Sequence, residues 1–271
     1  MRRPSSSLLG FARVLMAHRE LIFRLTAREV GSRFRGSTLG PAWAVLTPLL
    51  TAAVFTFVFS TVFQSRWGGS TGRFDFALLM LSGLVIHNIF SESIGRAPTL
   101  LLANSSYVTK VIFPIEVLPV VATLSTLVNA AISAGIVLLG DLIFKGHIST
   151  TAFLFPVVLL PFLFFVVGLG LLLAALGVFL RDLTQIVTLL ITLTMFLTPI
   201  FYPLEAVPPA FRTAMHLNPL TFIVGQVRAV LVFGQWPDFL GLGLYTLASL
   251  AVLAFCYWVF QRLRGGFADV L

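Results

Sequence analysis

Few side chains in this sequence can do chemistry, and their spacing limits what that chemistry is. Four histidines stand at positions 18, 87, 147 and 216, far apart and with no H-E-x-x-H spacing, so they do not read as a metal centre. The only lysines are Lys110, in Val-Thr-Lys-Val, and Lys145, in Phe-Lys-Gly. Neither has the glycine loop and following hydroxyl that grip nucleotide phosphates and magnesium. No serine sits in a G-x-S-x-G elbow. The single cysteine, Cys256, lies in an apolar run and can form neither an internal disulfide nor a multi-cysteine metal site. The ten acidic residues fall mostly at expected helix ends, unlike the chain of buried carboxylates a proton pump needs. Asp141 and Glu92 come nearest, and each is expected to be a solvated charge at a membrane edge. An embedded acyl or glycosyl transferase would show convergent carboxylates or histidines there, and that pattern is missing. The residues therefore point away from catalysis, with no cofactor bound by this chain. If ATP drives it, ATP and magnesium sit on another chain.

What remains suits passage better than reaction. Phe55, Phe59 and Phe63 lie four apart, as do Thr184, Thr188 and Thr192, with Phe196, Phe201 and Tyr202 beyond. Each set falls on one helical face. A path of aromatic faces and hydroxyls can hold a passing molecule without one strong site. The competing reading is packing, since 27 phenylalanines must mostly face lipid or neighbours and threonines glue helices together.

The elements that carry these residues are read from composition. Of 271 residues, 58% are hydrophobic and 10% charged, with a mean hydropathy of +1.01. That excludes a water-soluble globule. Runs of about 20 apolar residues, the length of one helical crossing, cover residues 41–63, 74–94, 117–139, 153–180, 183–202 and 239–260. The expected fold is all-α: six transmembrane helices forming one domain over residues 41–271, preceded by an interfacial segment over residues 1–40. The first apolar run starts too late for a secretory signal and is expected to stay in the mature protein.

The net charge of +8 is topology information rather than a nucleic-acid footprint. With both termini in the cytoplasm, the inner segments hold 13 of the 18 basic residues and the outer segments five. The positive-inside rule favours that orientation. Ahead of the first span, Phe11, Val14, Leu15, His18, Ile22 and Leu25 fall at helical spacing, with Arg13, Glu20, Arg24 and Arg28 on another face. This reads as an amphipathic helix lying on membrane lipid. Arg181-Asp182 marks a tight turn between the fourth and fifth spans. Between the fifth and sixth, residues 203–238 are too proline-rich to cross and break into two short helical pieces around Asn218-Pro219. Short re-entrant helices there, with Asn218, Pro219 and Arg228, read as a gate region.

Several segments then resemble one family. Arg33-Phe34-Arg35-Gly36-Ser37-Thr38-Leu39-Gly40-Pro41-Ala42-Trp43, followed by Pro48, is similar to the junction of interfacial helix and first span in ABC-2 type polysaccharide export permeases. The run from Asn104 through Tyr107 and Lys110 to Pro114 and Pro119 resembles the same family's cytoplasmic loop between spans two and three. Arg181-Asp182, Leu217-Asn218-Pro219-Leu220 with Arg228, and Phe267-Ala268-Asp269-Val270 match in order.

The resemblance implies the membrane subunit of a bacterial inner-membrane exporter of lipid-linked O-antigen, capsule or similar polymer, acting as a homodimer with two ATPase subunits. It assigns Asn104, Tyr107 and Lys110 to ATPase coupling, in a loop opened by Pro98 and closed by Pro114. Arg33, Arg35, Gly36, Gly40 and Trp43 form an interfacial elbow, where glycine permits a bend and Pro41 suits a helix start. Phe55, Phe59, Phe63, Thr188, Thr192, Phe196 and Tyr202 are the expected channel lining. An exporter of a small molecule or lipid shares the same fold and is the alternative.

Overall fold

The computed structural model describes residues 7–33, 35–62, 73–109 and 113–270, and among them every regular element is helical. Two helices precede the first span. In α1 (Leu8–Ala17) the Ser7 hydroxyl accepts from the amide of Gly10 at 3.1 Å, capping the first turn. A break at His18, whose Nδ1 lies 2.9 Å from the Val14 carbonyl, separates it from α2 (Arg19–Arg33). The single amphipathic helix expected from the spacing is therefore two. Its faces are as read: Phe11 and Ile22 are buried, while Arg13, Glu20, Arg24 and Arg28 are exposed.

After α2 the chain bends with Gly36 at φ +82° and Gly40 at φ +51°, a region other residues rarely adopt. Pro41 lies in the 3₁₀ turn Gly40–Ala42, leading into α3 (Trp43–Thr56), which continues as a π-helical stretch, Phe57–Val62. Phe63 lies outside the described residues.

The second span corrects the sequence reading. Instead of ending near residue 94, α4 (Arg73–Ala103) runs 31 residues with Pro98 in its buried interior. Proline removes one backbone donor and usually breaks a helix, but tightly packed membrane helices tolerate it. Here a Cβ on Gly177 of the fourth span would collide with the Pro98 carbonyl, so only glycine permits the approach. The loop thus shrinks to α5 (Ser105–Thr109) and its flanks.

The third and fourth spans are α6 (Val117–Lys145), closed by Gly146 at φ +76°, and α7 (Phe155–Phe179). A turn at Leu180, Arg181 and Asp182 leads to α8 (Leu183–Leu197). Then come α9 (Pro209–Leu217), α10 (Pro219–Leu231), α11 (Phe239–Leu263) and α12 (Phe267–Val270). The two short helices around Asn218-Pro219 are present as expected.

Among the described residues, five helical stretches are long and apolar enough to cross a membrane: Gly40–Phe59, Phe74–Ala103, Val117–Lys145, Thr150–Phe179 and Phe239–Gly266. The run expected as the fifth span gives only the 15 residues of α8, rising about 22 Å against the roughly 30 Å of hydrocarbon. The chain is a multi-pass membrane protein built around α4, which packs on α6 and α7, while α11 lies along α7. In its most apolar window the second span is 72% buried, the first only 6%. The buried residues form two clusters. One gathers α10 with parts of α4, α6 and α7. The other, at the end carrying α1 and α2, includes Leu101, Val117, Ala174, Tyr257 and Phe267.

Candidate functional site

At the elbow, Arg33 closes α2 and reaches into the bundle. Its Nη1 donates to Glu92 of α4 at 2.6 Å and its Nη2 to the Ser125 hydroxyl of α6 at 3.2 Å. The single Ser125 proton is shared between Glu29 at 2.9 Å and the Ala122 carbonyl at 2.8 Å, and Glu29 pairs with Arg96 at 2.5 Å. Sequence reasoning singled out Arg33 but missed this relay. Glu29 and Arg33 lie four apart, a visible signal for one shared face, whereas their partners lie 59 or more residues away. Arg35 and Trp43 are exposed and take no part.

The relay corrects one expectation. Glu92 is not a free solvated charge but the partner of Arg33. Asp141 is also corrected: it is buried, with only 1% of its surface exposed, and pairs with Lys145 at 2.8 Å. Lys145 further donates to the Val232 carbonyl, tying the end of α6 to the end of α10.

Beside the relay lies the expected coupling loop. The Asn104 amide donates to the Leu100 carbonyl at 2.9 Å, and Tyr107 stacks on Phe113 with ring centres 4.7 Å apart. Both face a cleft of about 260 Å³ that also takes in Arg28, Glu29, Ser32 and Arg96. Lys110 lies outside the described residues. The structure therefore places Asn104 and Tyr107 next to the relay that leads to Arg33.

The expected channel residues divide into two groups. Phe55 and Phe59 are part-buried against Phe201, at 5.0 and 4.8 Å between ring centres, the latter pair nearly parallel at 7°. Phe201 itself is fully buried. Phe196, by contrast, is exposed, and Thr188 and Thr192 are exposed on the same helix. Their hydroxyls donate back to the carbonyls of Thr184 and Thr188, at 2.8 and 3.0 Å, leaving lone pairs to accept from elsewhere. The Tyr202 hydroxyl donates to the Phe196 carbonyl.

In the expected gate region the polar groups hold backbone. Asn218 caps α10, its Oδ1 accepting from the Leu220 amide at 3.0 Å. Its Nδ2 donates to Leu197 O and Thr198 Oγ1 at the end of α8. Pro219 stands at the first helical position, where its missing amide proton is not needed. The buried Arg228 guanidinium donates to the carbonyls of Leu79, Pro199 and Ile200 at 3.0, 2.6 and 2.9 Å. Two of these bonds satisfy carbonyls in the turn just beyond α8 that would otherwise lie bare in an apolar setting, and the third fastens that turn to α4.

Comparison with known proteins accords with this architecture. The family model described as ABC-2 type transporter matches residues 20–232. The O-antigen export system permease protein RfbA of Myxococcus xanthus is 31% identical over 264 residues, covering 97% of this chain and 99% of that protein. Its namesake from Klebsiella pneumoniae is 23% identical over 93% of this chain and 95% of its own length. The polysialic acid transport protein KpsM of Escherichia coli is 23% identical, over 84% of this chain and 88% of its own length. A helical bundle with this elbow, matched by that model over most of its length, belongs to the ABC-2 type transporter family, as a membrane permease and not an enzyme.

Proposed function

We propose that this chain is the membrane half of an exporter of lipid-linked polysaccharide, such as O-antigen or capsule, across the bacterial inner membrane. It works as a homodimer with two ATPase subunits. The observation that carries the reading is the likeness to an O-antigen export permease along 97% of the chain. Both termini face the cytoplasm. α8 makes the sixth crossing together with the buried turn at Thr198, Pro199, Ile200 and Phe201.

Within this reading, the shortened loop around Asn104 and Tyr107, with Arg96 beside it, meets the ATPase. A push on the loop reaches Glu29 through Arg96, then Ser125 and Arg33, and arrives at Glu92 and the elbow. The first span is little buried in the protomer, and the contacts that give when it shifts are those of Ala52, Phe55 and Phe59 with the core. The polymer slides between two copies along the exposed face of α8, held by many weak contacts, since one strong site would trap it. The test is to purify the chain under native conditions, identify an accompanying P-loop ATPase, and add lipid-linked glycan. Hydrolysis stimulated by the glycan is the expected result. A complex whose hydrolysis responds only to small amphiphiles overturns the polysaccharide reading.

A further inference from the structure

A cleft of about 190 Å³ opens between the first three spans of the protomer, with Trp43, Thr47 and Asn88 exposed at its mouth. Each span turns one face toward it. From α4 come Asn88 and Glu92, four apart; from α6 Thr126, Asn129 and Ser133; from α3 Thr47 and Thr51, below Trp43. Polar side chains in a membrane domain are costly and mark function unless they serve packing. Here they are not spent on packing. Among the described residues the side chains of Asn88, Asn129, Ser133, Thr47 and Thr51 have no hydrogen-bond partner within the protein, although all line one cavity.

We propose that this cleft is a binding subsite for a sugar residue of the lipid-linked substrate, distinct from the path between two copies. The assignment rests on the polysaccharide reading above. Its chemistry selects a neutral, hydroxyl-rich ligand. Two primary amides and three hydroxyls can each donate and accept, matching a hydroxyl rim. Trp43 at one edge offers an apolar ring face to sugar C–H groups. Among the described residues the only charges in the lining, Arg33 and Glu92, already neutralise each other at 2.6 Å. A phosphate drawn to Arg33 would meet the Glu92 carboxylate, so an anion is disfavoured. Size agrees: a cavity of about 150 Å³ admits one six-membered aromatic ring, and this cleft is somewhat larger. Its place beside the elbow also puts it at the end of the Arg96 to Glu92 relay, where occupancy can be sensed by the loop.

The experiment uses the intact permease and ATPase complex, with this chain's other three tryptophans and every tryptophan of the ATPase replaced by phenylalanine so that Trp43 reports alone. Two probes are titrated: a polyprenyl diphosphate carrying one N-acetylhexosamine, and the same lipid without sugar. Only the sugar-bearing probe is expected to shift Trp43 emission. Asn88→Ala and Asn129→Ala should each raise its half-saturating concentration about tenfold, the cost of one lost hydrogen bond. Thermal unfolding of each variant checks that the fold persists. Equal responses to both probes would assign the cleft to the lipid or its phosphates and overturn the proposal. So would no response to either. Export of polymer by the same complex in cells is scored separately. Export without a Trp43 response defeats the subsite alone, whereas no export of any polymer defeats the polysaccharide reading beneath it.

Discussion

The Arg228 guanidinium bridges two distant pieces of chain, donating through Nη1 to the Pro199 carbonyl at 2.6 Å and through Nε to the Leu79 carbonyl at 3.0 Å. With Nη2 on Ile200 it holds the end of α8 to α4. Replacing it with methionine keeps bulk but strands the buried Pro199 and Ile200 carbonyls, while Leu79 keeps its bond from Ser82. Arg228→Met is expected to lower unfolding stability in detergent by about 3 kcal/mol. Arg228→Lys should do nearly as badly, because a single ammonium cannot span the three carbonyls. Thermal unfolding with wild type as reference measures both.

The Arg33 to Glu92 pair is part-exposed, with 20% and 35% of the two side chains accessible. A pair of that exposure contributes only about 1 kcal/mol, so Glu92→Gln should leave folding nearly intact. What it should lose is coupling: hydrolysis continues while export falls. Exchanging the two charges in a double variant, Arg33→Glu with Glu92→Arg, should recover part of the export. Export and hydrolysis measured on the same preparations decide it.

Tyr107 stacks on Phe113 at the rim of the cleft that holds Asn104. Tyr107→Ala is expected to reduce the amount of ATPase recovered with the permease several-fold, with little change in thermal stability. Lys110→Glu should act in the same direction. A full complement of ATPase and normal export in both variants would leave the loop a connector.

Phe55 and Phe59 pack on a buried ring, and Phe196 is exposed. Phe59→Ala should therefore cost about 3 kcal/mol of stability as well as export. Phe196→Ala should lower export at normal stability, and that contrast separates a packing ring from a path-lining one. Quantitative export assays normalised to protein level provide the reading.

For topology, cysteines introduced at Ser5 and Ser70 are to be labelled in intact cells with a membrane-impermeant reagent. Labelling at Ser70 and not at Ser5 is expected. The native Cys256 is buried and should add little background.

Much of the fold was legible because apolar runs longer than any soluble element demand a bilayer, and because alternating faces of the first two helices separate Phe11 and Ile22 from the arginines. Two kinds of feature were not. Pro98 looked like a boundary, since proline punctuates helices in water; in α4 it is accommodated by Gly177, nearly 80 residues away in sequence. Glu92 and Asp141 looked solvated, since the sequence does not show what covers a carboxylate. Lys145, four residues after Asp141, was a readable partner, but Arg33 was not. The role of Arg228 was hidden for a further reason: its partners are carbonyls, which every residue carries, so no side-chain pattern announces them. Asn88 and Asn129 drew no notice because isolated amides within apolar runs become a site only when three helices bring them together.

Mechanically, the protomer is a stiff block with one compliant arm. Side-chain bonds to backbone carbonyls tie α10 to α4, to α6 and to the end of α8, whereas among the described residues no side-chain hydrogen bond joins α3 to another helix. Sideways force on the arm meets only van der Waals contacts, whose restoring force fades within an ångström or so. The double-glycine bend at Gly36 and Gly40 gives that arm a pivot. The softest mode of the molecule is thus a swing of the first span about its elbow, and the elasticity of the whole is set by the helix that the core holds least.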